Sequence, residues 1–221
     1  MKSLYESILS STNTGKAPLV RAWLEEHGIK NYTINTRGEI DVDGDVNLSG
    51  RGLTEFPSYI QFGTVKGNFI CNNNSIKTLK GAPKEVGGDF DCNINNLTSL
   101  EGAPKKVGED FKCYENKLTF LKGAPKEVGG SFNCSDNKLT SLEGAPENTG
   151  RSFYCDFNIL KTLKGAPKNI GGSFDCSNNK LTTLEGAPKK VGGDFYCNNN
   201  TTKFTVDDVE NVCNVEKKIY V

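Results

Sequence analysis

The sequence predicts a repeat solenoid of the α+β class, in which similar coils stack along one axis around a continuous core. The first observation is a phenylalanine that recurs every 21 residues, at Phe69, Phe90, Phe111, Phe132, Phe153, Phe174 and Phe195. The second is a cysteine two places after each of them, at Cys71, Cys92, Cys113, Cys134, Cys155, Cys176 and Cys197. A strict period of this length is typical of stacked units and not of a globule with one central core.

Each unit begins with a short predicted strand. Phe90 and Cys92 alternate with Asp89, Asp91 and Asn93, which is the period-two pattern of a strand with one buried face. We expect the phenylalanine and the cysteine to point into the coil, where the neighbouring coils cover them. Cysteine suits a narrow inner position because it behaves as a small hydrophobic residue.

Three further features recur in register after the strand. An asparagine is found at Asn74, Asn95, Asn116, Asn137, Asn158, Asn179 and Asn200. We expect its amide to turn inward and satisfy backbone groups, since an amide both donates and accepts hydrogen bonds. Two aliphatic columns follow, and a Gly-Ala-Pro segment such as 81–83 then returns the chain to the next strand, stiffened by its proline.

The pattern F-x-C-x-x-N-x-L resembles the core of the leucine-rich repeat, L-x-L-x-x-N-x-L, with Phe and Cys at the two strand positions. The resemblance covers about two-thirds of the chain and is strongest to the short bacterial type found in secreted effectors. It implies a right-handed solenoid with a parallel β-sheet on its concave face. The unit is one residue longer than is usual for that type, and we expect the extra residue in the Gly-Gly pair before the strand, such as 87–88.

The two ends of the chain depart from the repeat and divide it into three predicted segments. Residues 1–38 are predicted to form an N-terminal helical cap and hairpin. Residues 39–204 are predicted to form the solenoid, with one divergent and seven regular coils, and residues 205–221 a C-terminal capping helix. Terminal repeats of a solenoid are expected to be irregular because they shield its open ends. The alternative for the N-terminal region is a partner-binding module.

Local signals support these end segments. Two short helices are expected within residues 1–30, separated by a polar break at residues 10–16, and the second ends near Gly28 as its C-cap. A hairpin is expected to follow, with strands at 32–34 and 39–42. Near the C-terminus, Thr205 is the predicted N-cap of a helix with acidic residues in its first turn. The predicted buried face of that helix consists of Val206, Val209, Val212 and Cys213.

Composition narrows the range of partners and cofactors. The chain has 27 basic and 27 acidic side chains, which gives no reason to expect nucleic acid or an anionic membrane as partner. The eight cysteines are expected to be reduced and buried, because seven of them lie on the inward ladder. With no C-x-x-C pair and only one histidine, His27, no cofactor or metal site is predicted. The lack of an apolar run like that of a membrane span or a secretory signal favours a cytoplasmic location.

The residues beside Phe and Cys are predicted to face outward on the concave sheet, where they form a polar and acidic surface that includes aromatic residues. The fifth regular coil departs most from the consensus, and such exposed aromatic residues are typical of interfaces when the fold does not require them. The alternative is drift in a tolerant repeat. The predicted partner-binding residues are Tyr114, Tyr154, Asp156, Phe157, Asp175 and Tyr196.

A second surface is predicted on the opposite side of the coil, where the return segments are rich in lysine. Acidic residues such as Glu85 and Glu127 partly offset its charge. The alternative is that both surfaces are simply solvated faces that keep the protein in solution. The lysines of the return side are Lys84, Lys105, Lys106, Lys126, Lys168, Lys189 and Lys190.

These features predict a non-enzymatic protein-binding scaffold, since the sequence offers no Ser/His/Asp or Cys/His set for catalysis. The resemblance extends to repeat proteins of gut bacteria and their phages, and it implies a second hypothesis, a factor that binds and blocks an immune or defence protein. A third hypothesis is a glycan binder, a small-ligand binder or an enzyme that uses acids such as Asp89 and Asp110 on the concave face. An open face makes a poor enclosed pocket, which counts against the third.

Overall fold

The computed structural model describes residues 13–221, which form a parallel β-solenoid of about nine coils. The apolar stripe predicted for a first helix, at residues 4–9, lies outside the described residues. The described chain begins with helix α1, Asn13–Glu26, and has a second helix, α2, Val206–Glu210. Neither helix combines the length and apolar character that crossing a membrane requires.

One side of the solenoid is a ten-stranded sheet, called the first sheet below. Its strands are, in spatial order, β1 (Tyr32–Ile34), β2 (Ile40–Val42), β4 (Phe62–Val65), β6 (Glu85–Val86), β8 (Lys106–Val107), β10 (Glu127–Val128), β12 (Asn148–Thr149), β14 (Asn169–Ile170), β16 (Lys190–Val191) and β18 (Asn214–Val215). The pair β1 and β2 is antiparallel and confirms the predicted hairpin, while all later neighbours in the sheet are parallel.

The other side is a nine-stranded parallel sheet, called the second sheet, which contains the phenylalanines of the repeat. Its strands are β3 (Val46–Asn47), β5 (Phe69–Ile70), β7 (Phe90–Asp91), β9 (Phe111–Lys112), β11 (Phe132–Asn133), β13 (Phe153–Tyr154), β15 (Phe174–Asp175), β17 (Phe195–Tyr196) and β19 (Ile219–Tyr220). Each phenylalanine pairs with that of the next coil, as Phe90 does with Phe111, and Val46 takes this place in the divergent coil.

The core between the sheets confirms the predicted inward ladder. All seven repeat phenylalanines are buried, and their rings stack from Phe69 to Phe153 with centroids 5.2–5.5 Å apart and planes within 10° of parallel. The stack tilts at the last steps, to 34° and then 65°. All eight cysteines of the described chain are free and buried, so they serve as core residues.

The asparagine ladder has the role expected from the sequence. The Asn137 Nδ2 donates to the carbonyl oxygens of Cys113, Cys134 and Ser135 at 3.0–3.2 Å, and its Oδ1 accepts from the Leu118 N–H at 2.9 Å. One amide therefore joins two consecutive coils and satisfies four backbone groups. The same set of bonds recurs around the other ladder asparagines from Asn95 to Asn179.

The first sheet was missed by the sequence prediction, which assigned its residues to a return segment. Its strands are two residues long in the regular coils, and only one of the two, such as Val86, is buried. So short a strand shows no alternation that a sequence pattern could detect. The predicted Gly-Gly corner lies between the two sheets, where Gly87 and Gly88 connect β6 to β7.

The N-terminal helix differs from its predicted start and agrees with its predicted end. It begins at Asn13, so the polar break expected at residues 10–16 is wrong over its described part. It ends at Glu26 and is closed by Gly28, which has φ +68° and donates its N–H to the Glu25 carbonyl, while the Ile29 N–H donates to that of Leu24. This is the Schellman arrangement that glycine favours. Trp23 is buried, with its ring centroid 6.4 Å from that of Phe62 at the start of the stack.

The C-terminal segment is more than a helix. Thr205 caps α2, as predicted, and it also forms a reciprocal capping box with Asp208. The helix ends at Glu210, and the chain then adds β18 and β19 to the edges of both sheets. Because the helix is so short, only Val209 and Cys213 of its predicted buried face are buried. The other two, Val206 and Val212, are more than 40% exposed, so that part of the prediction is wrong.

Candidate functional site

The surface that includes the predicted site consists of three columns on the outside of the second sheet, together called the outer face. Column one follows each phenylalanine: Ile70, Asp91, Lys112, Asn133, Tyr154, Asp175 and Tyr196. Column two follows each cysteine: Asn72, Asn93, Tyr114, Ser135, Asp156, Ser177 and Asn198. Column three comes one residue later: Asn73, Ile94, Glu115, Asp136, Phe157, Asn178 and Asn199. Column one arises because strand residues alternate between core and solvent. Columns two and three lie in the turn that follows each strand, and all three run along the solenoid because the coils stack in register.

Column one brings three predicted residues together. Tyr154, Asp175 and Tyr196 lie on β13, β15 and β17 and are direct partners in the parallel register. The column continues into Tyr220, whose ring stacks on that of Tyr196 with centroids 4.5 Å apart and planes within 4°. Tyr220 is not among the predicted site residues, since it lies beyond the last recognisable repeat. Its place in the column is set by the pairing of β19 with β17.

Asp156 and Phe157 extend this group into columns two and three. Asp156 is half-buried and accepts a hydrogen bond from the Ser135 hydroxyl in the preceding coil. Burial raises the pKa of this carboxyl, although the serine bond opposes the shift. Phe157 is 53% exposed and has φ +50°, a left-handed backbone conformation. These two residues therefore place an acid and an exposed ring beside Tyr154.

Tyr114 lies apart from the other predicted residues. It is in column two, separated from Asp156 by the intervening coil of Ser135. Burial and the nearby Asp91 carboxylate raise the pKa of Tyr114, and its hydroxyl lies beside the side chain of Asn93. The structure thus places five predicted residues on three consecutive coils, called the aromatic cluster below, and puts the sixth in a different neighbourhood.

That second neighbourhood centres on Asp91, which the site prediction did not include. Its Oδ1 accepts from the Asn93 backbone N–H at 3.1 Å, and its Oδ2 accepts from Asn72 Nδ2 at 3.4 Å. Burial raises the pKa of the Asp91 carboxyl despite these bonds and the nearby Lys112. In the sequence, Asp91 is visible as an acid in a column predicted to face outward, but no sequence feature distinguishes Asp91 from the other residues of that column.

The acids at Asp89 and Asp110 are occupied by other groups. Lys112 Nζ lies 2.8 Å from Asp89 Oδ2 and 3.6 Å from Asp110 Oδ2. Asp89 Oδ1 also accepts the Asp110 backbone N–H at 2.9 Å, and Asp110 Oδ1 accepts that of Ser131 at 2.8 Å. The carboxylates named in the enzyme or glycan hypothesis therefore link successive coils and hold a lysine.

The charge of the outer face is strongly one-sided. Its three columns contain five carboxylates, at Asp91, Glu115, Asp136, Asp156 and Asp175, and one amine, at Lys112. The lysines of the return side belong to the first sheet or flank its strands, where some pair with acids, as Lys106 does with Glu127 at 3.2 Å. A surface of this kind attracts positively charged partners.

Two other features of the described chain were compared with the outer face as candidate functional sites. A depression of about 540 Å³ lies at the N-terminal end of the outer face, where its lining includes His27, Arg51 and Asn47, the β3 residue that pairs with Ile70 of column one. Residues 13–221 contain no group of three or more His, Cys, Asp or Glu side chains placed to hold a metal ion.

The chain matches no family model, and no curated protein is similar enough to it to count as a match.

Proposed function

We propose that the chain is a non-enzymatic protein-binding scaffold and that its partner docks on the outer face, around Phe157. The observation that carries the proposal is the position of this ring. A large aromatic side chain is 53% exposed on a backbone with φ +50°. A left-handed conformation costs an ordinary L-residue about 1–2 kcal/mol, and asparagine or aspartate tolerates it better. Asparagine indeed stands at the equivalent positions 73, 178 and 199.

The fold gains little from a phenylalanine at this place. The ring is outside the core, and the Phe157 backbone makes the inter-coil bonds that its neighbours in the column also make, such as N–H to the Ser177 carbonyl at 3.3 Å. Asparagine would make the same backbone bonds with less strain. The side chain therefore fits a role in contact with another molecule, and nearby tyrosines such as Tyr154 and Tyr196 are the residues that dominate binding energy in protein interfaces.

The finer class of the fold is part of this proposal. We propose a right-handed solenoid of the leucine-rich-repeat class, with the second sheet on its concave side and with α1, the hairpin and α2 as caps. The F-x-C-x-x-N-x-L repeat and the buried asparagine ladder support it. The eight free thiols are compatible with a reducing, cytoplasmic location, which we also propose.

Affinity capture from a bacterial lysate tests the docking site, with the wild type beside two variants. Phe157→Asn removes the ring and reduces the backbone strain. We therefore expect the amount of captured protein to fall at least ten-fold, while the melting temperature of the variant stays the same or rises. Phe120→Asn is the matched control, because Phe120 is also an exposed phenylalanine, at 44%, and lies outside the three columns of the outer face. It should retain capture. If Phe157→Asn captures the same protein at wild-type level, the proposed docking site is wrong.

The identity of the captured protein tests the narrower hypothesis of an inhibitor. A defence or immune protein recovered in stoichiometric amount would support it, and recovery of abundant housekeeping proteins alone would contradict it. This hypothesis rests on the resemblance of the repeat to proteins of gut bacteria and their phages, and the scaffold proposal does not depend on it.

A further inference from the structure

Two buried amide oxygens of the outer face have no hydrogen-bond partner within residues 13–221. They are Oδ1 of Asn72 and Oδ1 of Asn93, on adjacent coils of column two. Asn93 is only 1% exposed, so water cannot readily replace a missing partner. Leaving a buried polar atom unpaired is costly, and native structures contain few such atoms. Two unpaired amide oxygens in neighbouring positions therefore indicate that a hydrogen-bond donor is missing.

The Asp91 carboxylate is in contact with both of these asparagines. It is bonded to the Asn93 backbone and to the Asn72 side chain, and burial disfavours its charged form. Among the described residues it forms no ion pair. The nearest amine, that of Lys112, is held instead by Asp89 and Asp110. The carboxylate and the two amide oxygens thus form a group of acceptors that lacks a cationic donor. We call Asn72, Asp91 and Asn93 the acceptor cradle.

We propose that the acceptor cradle receives an arginine side chain of the protein partner. A guanidinium offers five N–H donors in a planar fork, which suits a carboxylate flanked by two further acceptors. Tyr114 beside Asn93 supplies an aromatic face on which the guanidinium can stack. The inference rests on the proposed scaffold function, because the partner supplies the arginine.

The surroundings favour this ligand over others. The five carboxylates of the outer face attract a basic segment and repel an anion. The Tyr114 side chain contacts that of Asn93 and is partly exposed, and exposed side chains change rotamer on a picosecond to nanosecond scale. An arginine anchor here and the aromatic cluster around Phe157 would engage one partner at two places on the same face.

An NMR titration with L-argininamide tests the cradle without knowledge of the partner. L-citrullinamide, which has nearly the same shape and no charge, is the matched control ligand. We expect argininamide to shift the side-chain amide resonances of Asn72 and Asn93, and citrullinamide to leave them unmoved. Asp91→Asn should weaken argininamide binding at least about ten-fold, since it removes a charge-assisted hydrogen bond.

The variants separate loss of binding from loss of fold. Asparagine stands at the same column position at Asn133, so Asp91→Asn should fold, and its amide spectrum reports this directly. Glu143→Gln removes an exposed carboxylate of a return segment and should leave binding unchanged. Equal shifts with both ligands, or unchanged affinity in Asp91→Asn, would overturn the inference. Either result would leave the scaffold proposal intact if Phe157→Asn still loses the captured protein.

Discussion

At the scale of single residues, the outer face combines backbone strain with exposed apolar side chains. All seven residues of its third column have positive φ, between 49° and 57°. Asparagine and aspartate account for most of the column, and they tolerate this conformation because their short polar side chains bond locally. Ile94 and Phe157 are the apolar exceptions, and both are exposed. A β-branched residue is especially unsuited to a left-handed backbone.

Replacement of Ile94 by asparagine should therefore stabilise the protein. We expect Ile94→Asn to raise the free energy of unfolding by about 1 kcal/mol, because it removes most of the left-handed penalty and only exposed apolar surface. Urea denaturation measures the change. The reverse substitution, Asn178→Ile, should cost a similar amount at an equivalent position with φ +53°. A loss of stability in Ile94→Asn would show that the isoleucine makes a stabilising contact and that strain does not dominate.

At the scale of the element, the turn after each strand of the second sheet depends on one amide. Asn137 satisfies three carbonyl oxygens and one N–H in two coils, all in a buried place. No other side chain has both an N–H₂ donor and a carbonyl acceptor at this length. The divergent coil shows the contrast, since Arg51 occupies the ladder position there and is exposed.

Removal of one ladder amide should be severe. We expect Asn137→Ala to lower the free energy of unfolding by about 3–5 kcal/mol, because it leaves several buried backbone groups without partners. The adjacent exposed side chain provides the control, and Lys138→Ala should change stability by less than about 0.5 kcal/mol. Chemical denaturation measures both. A cost below about 1 kcal/mol for Asn137→Ala would mean that water replaces the amide and that the ladder is not essential.

The elements also show where sequence reasoning succeeds and where it stops. The second sheet could be predicted because Phe and Cys repeat in alternation with polar residues. The first sheet could not, because a two-residue strand such as β6 has a single buried side chain and is identified only by its partners in other coils. The candidate site was predicted only in part, because some of its residues are likewise identified only by their neighbours in other coils. Tyr154 stood out as an aromatic residue in a polar column, whereas Asp91 became notable only when the unpaired amides beside it were seen.

At the scale of the whole molecule, stability is spread along one axis. Each coil contacts mainly its two neighbours, so coils near an end are expected to open at a lower free energy than coils in the middle. The buried cysteines sample almost the full length of the stack. Burial raises the pKa of every ladder thiol, and that of Cys197 and of Cys213 near the C-terminal end rises to about 11.

Thiol alkylation should therefore report the order in which coils open. At pH 8 the native protein is expected to react slowly with iodoacetamide, because its thiols are both buried and protonated. Cys197 and Cys213 should be modified first and Cys113 and Cys134 last, which peptide mass spectrometry can resolve over time. Protein in 8 M urea, where all eight should react at one rate, is the control. Simultaneous modification of all sites in the native protein would instead show a single cooperative opening.

The glycines at the corner have a consequence for how such a chain can change its length. A Cβ at Gly108 would collide with the carbonyl oxygen of Gly87, and one at Gly129 with that of Gly108, so equivalent atoms meet at every step. A duplicated or deleted stretch that spans one whole period restores all of these contacts, whereas an insertion that moves another residue into the corner puts a side chain into the column. The regular part of the solenoid can therefore lengthen or shorten by whole coils without a collision at the corner, and its reach along a binding partner would change by the height of one coil.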